Sequence, residues 1–197
     1  MWDTRYDTPD YLFGTRPSVF LTAHAGLIPA GARTLCVAEG EGRNAVWLAS
    51  QGCAVTGFDA SSVGLNKARA LARQTKVDLT LHHASVEDWD WSQTYDLVVA
   101  VFIQFAPPAL RAQVFNGIRQ AVAPGGRLLM HGYTPQQVVY GTGGPKDPDH
   151  LYTEDMLREA FGDWQILRLA AYEADLDEGP GHAGRSALID LIADKPH

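Results

Sequence analysis

Apolar and polar residues alternate along this chain in a pattern that predicts strands and helices in turn. Short apolar runs typical of buried strands occupy 33–38, 54–59, 77–84, 95–102 and 127–133. Amphipathic segments typical of helices lie between them at 43–51, 62–74 and 108–122. We therefore expect an α/β fold, with a parallel sheet covered by helices on both faces.

The end of the chain follows a different pattern. Segment 152–161 predicts a helix capped by Thr153 and ended by Gly162. Two strands, 164–174 and 185–195, then follow with no helix between them, which favours an antiparallel hairpin. The absence of a repeat or linker in the sequence predicts one domain over 1–197, with 1–15 as an N-terminal arm or lid.

Composition and charge narrow the function. The 197 residues are 46% hydrophobic and 20% charged, which is typical of one globular domain with a sizeable core. The net charge of −7 argues against nucleic acid as a partner, although a few local arginines would suffice for a small anion. The histidines lack metal-ligand spacing, so we expect no metal.

No stretch of the sequence is apolar enough to predict a membrane span or a signal peptide, and we expect a cytoplasmic protein. Cys36 and Cys53 fall at opposite ends of neighbouring predicted strands. A disulfide between them is therefore not expected.

The loop after the first strand carries the strongest functional signal. In CVAEGEGRNAVWLA (36–49), Gly40 and Gly42 permit unusual dihedral angles and a close approach of backbone to ligand. The segment GEGRNA also fits the G-x-G-x-x-A pattern of NAD-binding proteins. Two glutamates, Glu39 and Glu41, would repel a pyrophosphate but suit a cation. Asp59 closes the second strand at the spacing expected of a carboxylate that binds a ribose. A ribose, a positive centre and no phosphate fit S-adenosylmethionine.

At these residues the chain resembles the class I S-adenosylmethionine-dependent methyltransferases, over nearly its full length. Five segments are similar to those of small bacterial members related to the tellurite-resistance methyltransferase: EGEGRNAVWLA, VTGFDASSVGLNKA, FAPPALRAQVF, YTPQQVVYGTGGP and EGPGHAGRSALIDLIADKP. The resemblance implies a Rossmann-like sheet of seven strands, mostly parallel, with the last strand antiparallel.

The resemblance also implies a set of cofactor-binding residues. These are Ala38, Glu39, Gly40, Gly42, Asn44, Asp59, Ala60, Ser85, Val86, Glu87 and Phe102. The chain departs from the family's D-x-G-x-G-x-G loop, because the acid position holds Cys36 and the first glycine position holds Ala38. Glu39 is the nearest substitute for the missing acid.

Residues after the later strands are candidates for the acceptor side. Gln104 follows the fourth strand and could bind substrate or the sulfonium end of the cofactor. His131 and Tyr133 end the fifth strand, and Tyr140 lies in the glycine-rich segment after it, as substrate candidates. The resemblance places EGPGHAGRS (178–186) over the substrate pocket. His182 and Arg185, in that loop, could take a proton or bind an oxyanion.

These residues predict an enzyme that methylates a small molecule. The candidate acceptors are a thiol and a tellurium or selenium oxyanion. Where the reaction needs a base, His182 or His131 is the candidate. Two alternatives remain open at this point: an NAD-dependent Rossmann oxidoreductase, and a non-catalytic protein that binds S-adenosylmethionine. The expected oligomeric state is a monomer or a homodimer.

Overall fold

The computed structural model describes residues 2–197, and its centre is a single seven-stranded sheet. The strands are β1 (Arg33–Cys36), β2 (Ala54–Asp59), β3 (Thr80–His83), β4 (Tyr95–Val101), β5 (Val122–Tyr133), β6 (Gln165–Asp177) and β7 (Ala183–Asp194). Their spatial order is β3-β2-β1-β4-β5-β7-β6. Strands β1 to β5 pair in parallel, whereas β7 runs antiparallel to both β5 and β6. The predicted fold class is confirmed, including the closing hairpin.

Seven α-helices connect and cover these strands. They are α1 (Trp2–Tyr6), α2 (Val19–Ala23), α3 (Arg43–Ser50), α4 (Ser62–Thr75), α5 (Pro108–Ala121), α6 (Gln137–Tyr140) and α7 (Glu154–Phe161). Thr153 caps α7 as predicted, because its side chain accepts from the Met156 N–H, and Ser61 caps α4 by accepting from the Gly64 N–H. The N-terminal arm begins with the short helix α1.

The core lies on both faces of the sheet. Val98 and Val99, adjacent in β4, are both buried but pack into different apolar clusters. This alternation explains why the strand is continuously apolar from Leu97 to Val101 rather than apolar at every second position. Cys36 and Cys53 are free thiols within one of these clusters, as expected.

The topology creates a cleft where the strand order reverses. The strands β1 and β4 are neighbours, but the chain leaves β1 towards β2 on one side and β4 towards β5 on the other. Just beyond these two strands, Ala38 and Phe102 have left-handed backbones, with φ of +48° and +56°. Such conformations cost energy in non-glycine residues and cluster at functional sites. This edge of the sheet is therefore the candidate position of the functional site.

Among residues 2–197, no helix combines the length and the apolar character required to cross a membrane.

Candidate active site

A cavity of about 550 Å³ opens at this edge of the sheet, within the usual size range of small-molecule sites. Its walls come from the loop after β1, the ends of β2 to β5, the N-terminal arm and the loop between β6 and β7. Nine of the predicted cofactor residues line it: Ala38, Glu39, Asn44, Asp59, Ala60, Ser85, Val86, Glu87 and Phe102.

The two loop glycines are not among the residues that line the cavity. Both have positive φ, +61° at Gly40 and +91° at Gly42, as expected. A Cβ at Gly42 would lie 2.6 Å from the Ala68 Cβ, and one at Gly40 would lie 2.6 Å from the Tyr6 hydroxyl. The glycines therefore allow the loop to pack against α4 and α1, and their contact with a cofactor stays a prediction.

Glu39 caps the helix that follows the loop. Its Oε1 accepts hydrogen bonds from the backbone N–H groups of Asn44 (3.1 Å) and Ala45 (2.7 Å). Burial raises the pKa of Glu39 to about 7, although these N–H groups and Arg43 oppose the shift. The positive end of the α3 dipole is thus already occupied by a carboxylate that faces the cavity.

Asp59 ties the loop to the second strand. Its Oδ2 accepts from the Gly40 N–H (2.8 Å), and its Oδ1 accepts from the Ser61 N–H (2.7 Å). Burial raises the pKa of this carboxyl. Because a carboxylate has about four lone-pair positions, two acceptor positions remain for hydroxyl groups of a ligand in the cavity.

The N-terminal arm is fastened over this part of the site. Glu41 pairs with Lys67 (2.8 Å) and accepts from the Phe13 N–H (3.3 Å). Asp3 accepts from the Ser61 hydroxyl (2.5 Å) at the start of α4. As a result, Trp2, Arg5, Tyr6 and Phe13 form one wall of the cavity.

His182 is the centre of the opposite end of the cavity. Its ring centroid lies 4.0 Å from that of Phe102, 4.5 Å from Phe13 and 5.7 Å from Tyr133. Its Nδ1 and the Tyr133 hydroxyl are buried and have no hydrogen-bond partner among residues 2–197. Burial and then the nearby Arg43 hold the pKa of His182 far below its ordinary value, so the imidazole is neutral at physiological pH.

Gln104 also lines the cavity, but its amide is already engaged. Its Nε2 donates to the Tyr133 carbonyl (2.7 Å), and its Oε1 accepts from the Tyr133 N–H (2.5 Å). The side chain therefore acts as an extra strand partner that fixes the end of β5. The structure gives Gln104 a role in positioning Tyr133, and its predicted contact with substrate or sulfonium stays a prediction.

Three predicted substrate or catalytic residues lie away from the described cavity. His131 is buried in the core, where its Nδ1 lies 2.7 Å from Asp190 and its ring stacks on Phe20. The Tyr140 hydroxyl donates to Glu173 (2.7 Å). Arg185 is half-exposed and also pairs with Glu173 (2.7 Å). Arg185 lies outside the cavity because the register of the hairpin places it opposite Asp175 on β6.

A buried ion pair is the main feature that the sequence analysis missed. Arg43 Nη1 lies 2.8 Å from Glu178 Oε2, and both side chains are more than nine-tenths buried. Glu178 also accepts from the Ser18 hydroxyl (3.2 Å) and the Val19 N–H (2.8 Å). The pair joins the start of α3 to the loop that carries His182. The sequence signal that could have indicated this pair is Arg43, a basic residue directly after the glycine loop.

Within residues 2–197, no group of three or more histidine, cysteine, aspartate or glutamate side chains is placed to hold a metal ion.

Comparison with known proteins agrees with this geometry. A family described as a methyltransferase domain matches residues 34–126. No curated protein sequence matches the chain significantly.

Three solved structures are similar in fold. One, described as "Conversion of a Disulfide Bond into a Thioacetal Group during Echinomycin Biosynthesis", has a TM-score of 0.78 at 18% identity, over 99% of this chain and 90% of the other. TehB from Haemophilus influenzae has a TM-score of 0.71 at 17% identity, over 98% of this chain and 65% of TehB. The N-methyltransferase NodS from Bradyrhizobium japonicum WM9, in complex with S-adenosyl-l-homocysteine, has a TM-score of 0.72 at 13% identity, over 100% and 97%.

Proposed function

We propose that this chain, which matches a family described as a methyltransferase domain over residues 34–126, transfers a methyl group from S-adenosylmethionine to a small-molecule acceptor. The cofactor would occupy the end of the cavity formed by Glu39, Asp59 and the segment 84–87. The acceptor would occupy the end formed by Phe102, Tyr133 and His182.

The main support for this proposal is that a carboxylate of the protein already binds the N-terminus of α3. In dinucleotide-binding folds, the free N–H groups at this position hold a pyrophosphate. Here two of them are bound to the Glu39 carboxylate. A pyrophosphate would meet a negative group instead of hydrogen-bond donors, which argues against the NAD-dependent alternative. A ligand with an ammonium and a sulfonium is attracted to the same carboxylate.

Asp59 supports the placement of a ribose. Its carboxylate is held by two backbone N–H groups, so its orientation is fixed before a ligand binds. Its remaining lone pairs face a cavity and can accept hydrogen bonds from a vicinal diol. An adenine would then lie against the backbone of Ser85 and Val86 and the Glu87 side chain at the end of β3.

The chain's own residues supply positioning. When bound, S-adenosylmethionine supplies an electrophilic methyl group on a sulfonium. The acceptor atom forms a bond to the methyl carbon as the methyl–sulfur bond breaks, and the electron pair of that bond stays on the departing sulfur. A neutral His182 can accept a hydrogen bond from a thiol or hydroxyl acceptor and orient it. Because the pKa of His182 lies far below its ordinary value, the proton that the acceptor loses passes to solvent rather than to this imidazole. Aromatic walls exclude water, and orientation can contribute about 7–11 kcal/mol.

Calorimetry with S-adenosylhomocysteine and with NAD tests the cofactor. We expect S-adenosylhomocysteine to bind and NAD not to bind, and the reverse result would contradict the proposal. A screen of thiols, small phenols, selenite and tellurite, with release of S-adenosylhomocysteine as readout, then tests catalysis. Binding of the cofactor without turnover of any acceptor would favour a non-catalytic binding protein.

A further inference from the structure

We propose that the acceptor is an uncharged molecule with a polar group next to its nucleophilic atom, held by the Tyr133 hydroxyl and His182 Nδ1. The inference rests on the proposed methyl transfer and names the class of substrate that the same cavity accepts. Among the candidate acceptors, it favours the uncharged thiols and phenols over the selenium and tellurium oxyanions.

Two unpartnered polar atoms are the first line of evidence. Tyr133 is 1% exposed and His182 is 6% exposed, and both side chains line the cavity. The Tyr133 hydroxyl and His182 Nδ1 have no hydrogen-bond partner within the described chain. Buried atoms of this kind cost about 1–3 kcal/mol each when they stay unpaired. Because both residues belong to the cavity wall, a rotation of either side chain would bring its polar atom to a ligand, and a ligand that supplies one donor and one acceptor would recover that cost.

Both atoms are also uncharged at physiological pH. Burial and the proximity of Glu178 raise the pKa of the Tyr133 hydroxyl. Burial and Arg43 lower the pKa of His182. Neither group can therefore supply the positive charge that an oxyanion needs when it leaves water. Both can exchange a hydrogen bond with a thiol, a phenol or an adjacent hydroxyl group.

The charges around the cavity give the second line of evidence. Four carboxylates line it, from Glu39, Glu41, Asp59 and Glu87, against two guanidinium groups, from Arg5 and Arg43. Glu41 is already neutralised by Lys67 at 2.8 Å, which leaves three carboxylates. Arg43 is already neutralised by Glu178 at 2.8 Å. Arg5 is exposed and lies 4.5 Å from the centroid of the Trp2 ring, in the arm. The excess of negative charge accommodates a cationic cofactor and repels an anionic acceptor.

The shape of this end of the cavity favours an apolar body on the acceptor. Phe13 and Phe102 flank His182, and Phe105 and Leu110 add apolar side chains elsewhere in the lining. A small aromatic or aliphatic group can pack on these surfaces while its polar atom meets the Tyr133 hydroxyl. A hydrated oxyanion such as tellurite has no apolar surface with which to use them.

Matched pairs of acceptors test the proposal. The pairs are 2-mercaptoethanol with 2-mercaptoethanesulfonate, and phenol with 4-hydroxybenzenesulfonate. In each pair we expect kcat/KM to favour the uncharged member by about tenfold or more, because one unpaired charge at close range costs at least this much. Selenite and tellurite should turn over more slowly than 2-mercaptoethanol.

A single substitution should shift this preference. Glu178→Gln removes the partner of Arg43 and leaves a positive charge beside the acceptor. We expect the ratio of kcat/KM within each pair to move towards the sulfonate by about fivefold or more. The matched control is Glu173→Gln, which removes the exposed partner of Arg185 outside the cavity and should leave the ratio unchanged. A thermal melt and the affinity for S-adenosylhomocysteine show whether each variant is folded.

If Glu178→Gln fails to fold, Tyr133→Phe gives an independent test, since it removes only the unpartnered hydroxyl. It should raise KM for phenol and leave the affinity for S-adenosylhomocysteine unchanged. Unchanged KM would overturn the proposal.

Other results would also overturn the inference. One is a wild-type preference for the sulfonates, especially one that Arg5→Gln abolishes, since Arg5 would then be the anion site. Another is failure of both members of each pair to bind the protein loaded with S-adenosylhomocysteine. These outcomes leave cofactor binding intact, and so differ from failure of the proposed function, in which S-adenosylhomocysteine itself does not bind.

Discussion

The two ends of the cavity differ in whether the protein itself supplies partners for their polar groups. At the cofactor end, the carboxylates of Glu39, Glu41 and Asp59 each accept hydrogen bonds or an ion pair from the protein itself. At the acceptor end, the Tyr133 hydroxyl and His182 Nδ1 have no partner among residues 2–197. The first end is a self-supporting scaffold, whereas the second is completed only by a ligand.

This difference predicts how each end responds to substitution. Changes at the cofactor end should alter folding and cofactor affinity together, because the same hydrogen bonds serve both. Changes at the acceptor end should alter turnover and leave folding almost intact. The following tests can break or sharpen that distinction.

The largest effect is expected for Gly42→Val. A side chain there would collide with Ala68 on α4 and would require a left-handed valine. Together these cost about 2–5 kcal/mol of the free energy of unfolding, and binding of S-adenosylhomocysteine should be lost with the fold. Gly52→Val is the control, because Gly52 has φ of +90° but no heavy atom within 4 Å of the added Cβ. Equal urea denaturation midpoints for the two variants would show that the packing of the loop on α4 is unimportant.

The next effect is at the acceptor end. His182→Ala should lower kcat by about 5- to 150-fold, because it removes a hydrogen bond that orients the acceptor. Its affinity for S-adenosylhomocysteine should stay within about twofold of wild type, since the cofactor end keeps all its hydrogen bonds. Arg185→Ala is the control in the same hairpin, and its exposed ion pair predicts unchanged kcat. A fall in cofactor affinity equal to the fall in kcat for His182→Ala would contradict the separation of the two ends.

Asp59→Ala should weaken S-adenosylhomocysteine binding by about 10- to 150-fold, the equivalent of 1.5–3 kcal/mol for a hydrogen bond to a charged group. Part of the loss reflects the freed N–H groups of Gly40 and Ser61. Asp96→Ala, at the opposite edge of the sheet, removes an exposed partner of Arg33 and serves as control in the same calorimetric titration. Unchanged affinity in folded Asp59→Ala would remove this carboxylate from the site.

The pH dependence of binding tests Glu39. With a pKa of about 7, its carboxylate is increasingly protonated below pH 7 and loses its attraction for the ammonium group of the ligand. The affinity for S-adenosylhomocysteine should therefore fall by up to about tenfold for each pH unit from 7 to 5.5. In Glu39→Gln the same titration should be flat.

Glu39 also affects stability, with the opposite sign. Because its pKa is higher in the folded chain than in the unfolded chain, the folded state binds more protons between pH 4.5 and 7. Its contribution to the free energy of unfolding therefore decreases as the pH rises through this window. A denaturation series on the ligand-free protein and on Glu39→Gln isolates this contribution.

The smallest effect is expected for Ala38→Gly. A left-handed alanine costs about 1–2 kcal/mol, and glycine loses about 0.5–1 kcal/mol through greater entropy in the unfolded chain. A net stabilisation of up to about 1 kcal/mol should raise the melting temperature slightly. Lys76→Gly is the control, because Lys76 has φ of +57° at the end of α4, outside the cavity. Stabilisation of the control but not of Ala38→Gly would show that the Ala38 methyl group makes a compensating contact.

The sequence alone determined the sheet and the cofactor end. Apolar runs fixed the strands because strands buried on both faces must be apolar at every position, as Val98 and Val99 illustrate. The residues proposed to bind the cofactor could be predicted for a similar reason, since Asp59 ends β2 and Glu39 lies three residues after the neighbouring parallel strand β1. The ends of such strands meet at one edge of the sheet, so their position in the sequence gives their position in space.

Only the tertiary structure decided the acceptor end. His182 and Arg185 are three residues apart in one loop and strand, yet His182 enters the cavity while Arg185 pairs with Glu173 outside it. The register of β6 and β7 separates them, and composition carries no information on that register. The Arg43–Glu178 pair joins groups 135 residues apart in the chain. No local pattern encodes such a contact, because it exists only when α3 and the late loop pack together.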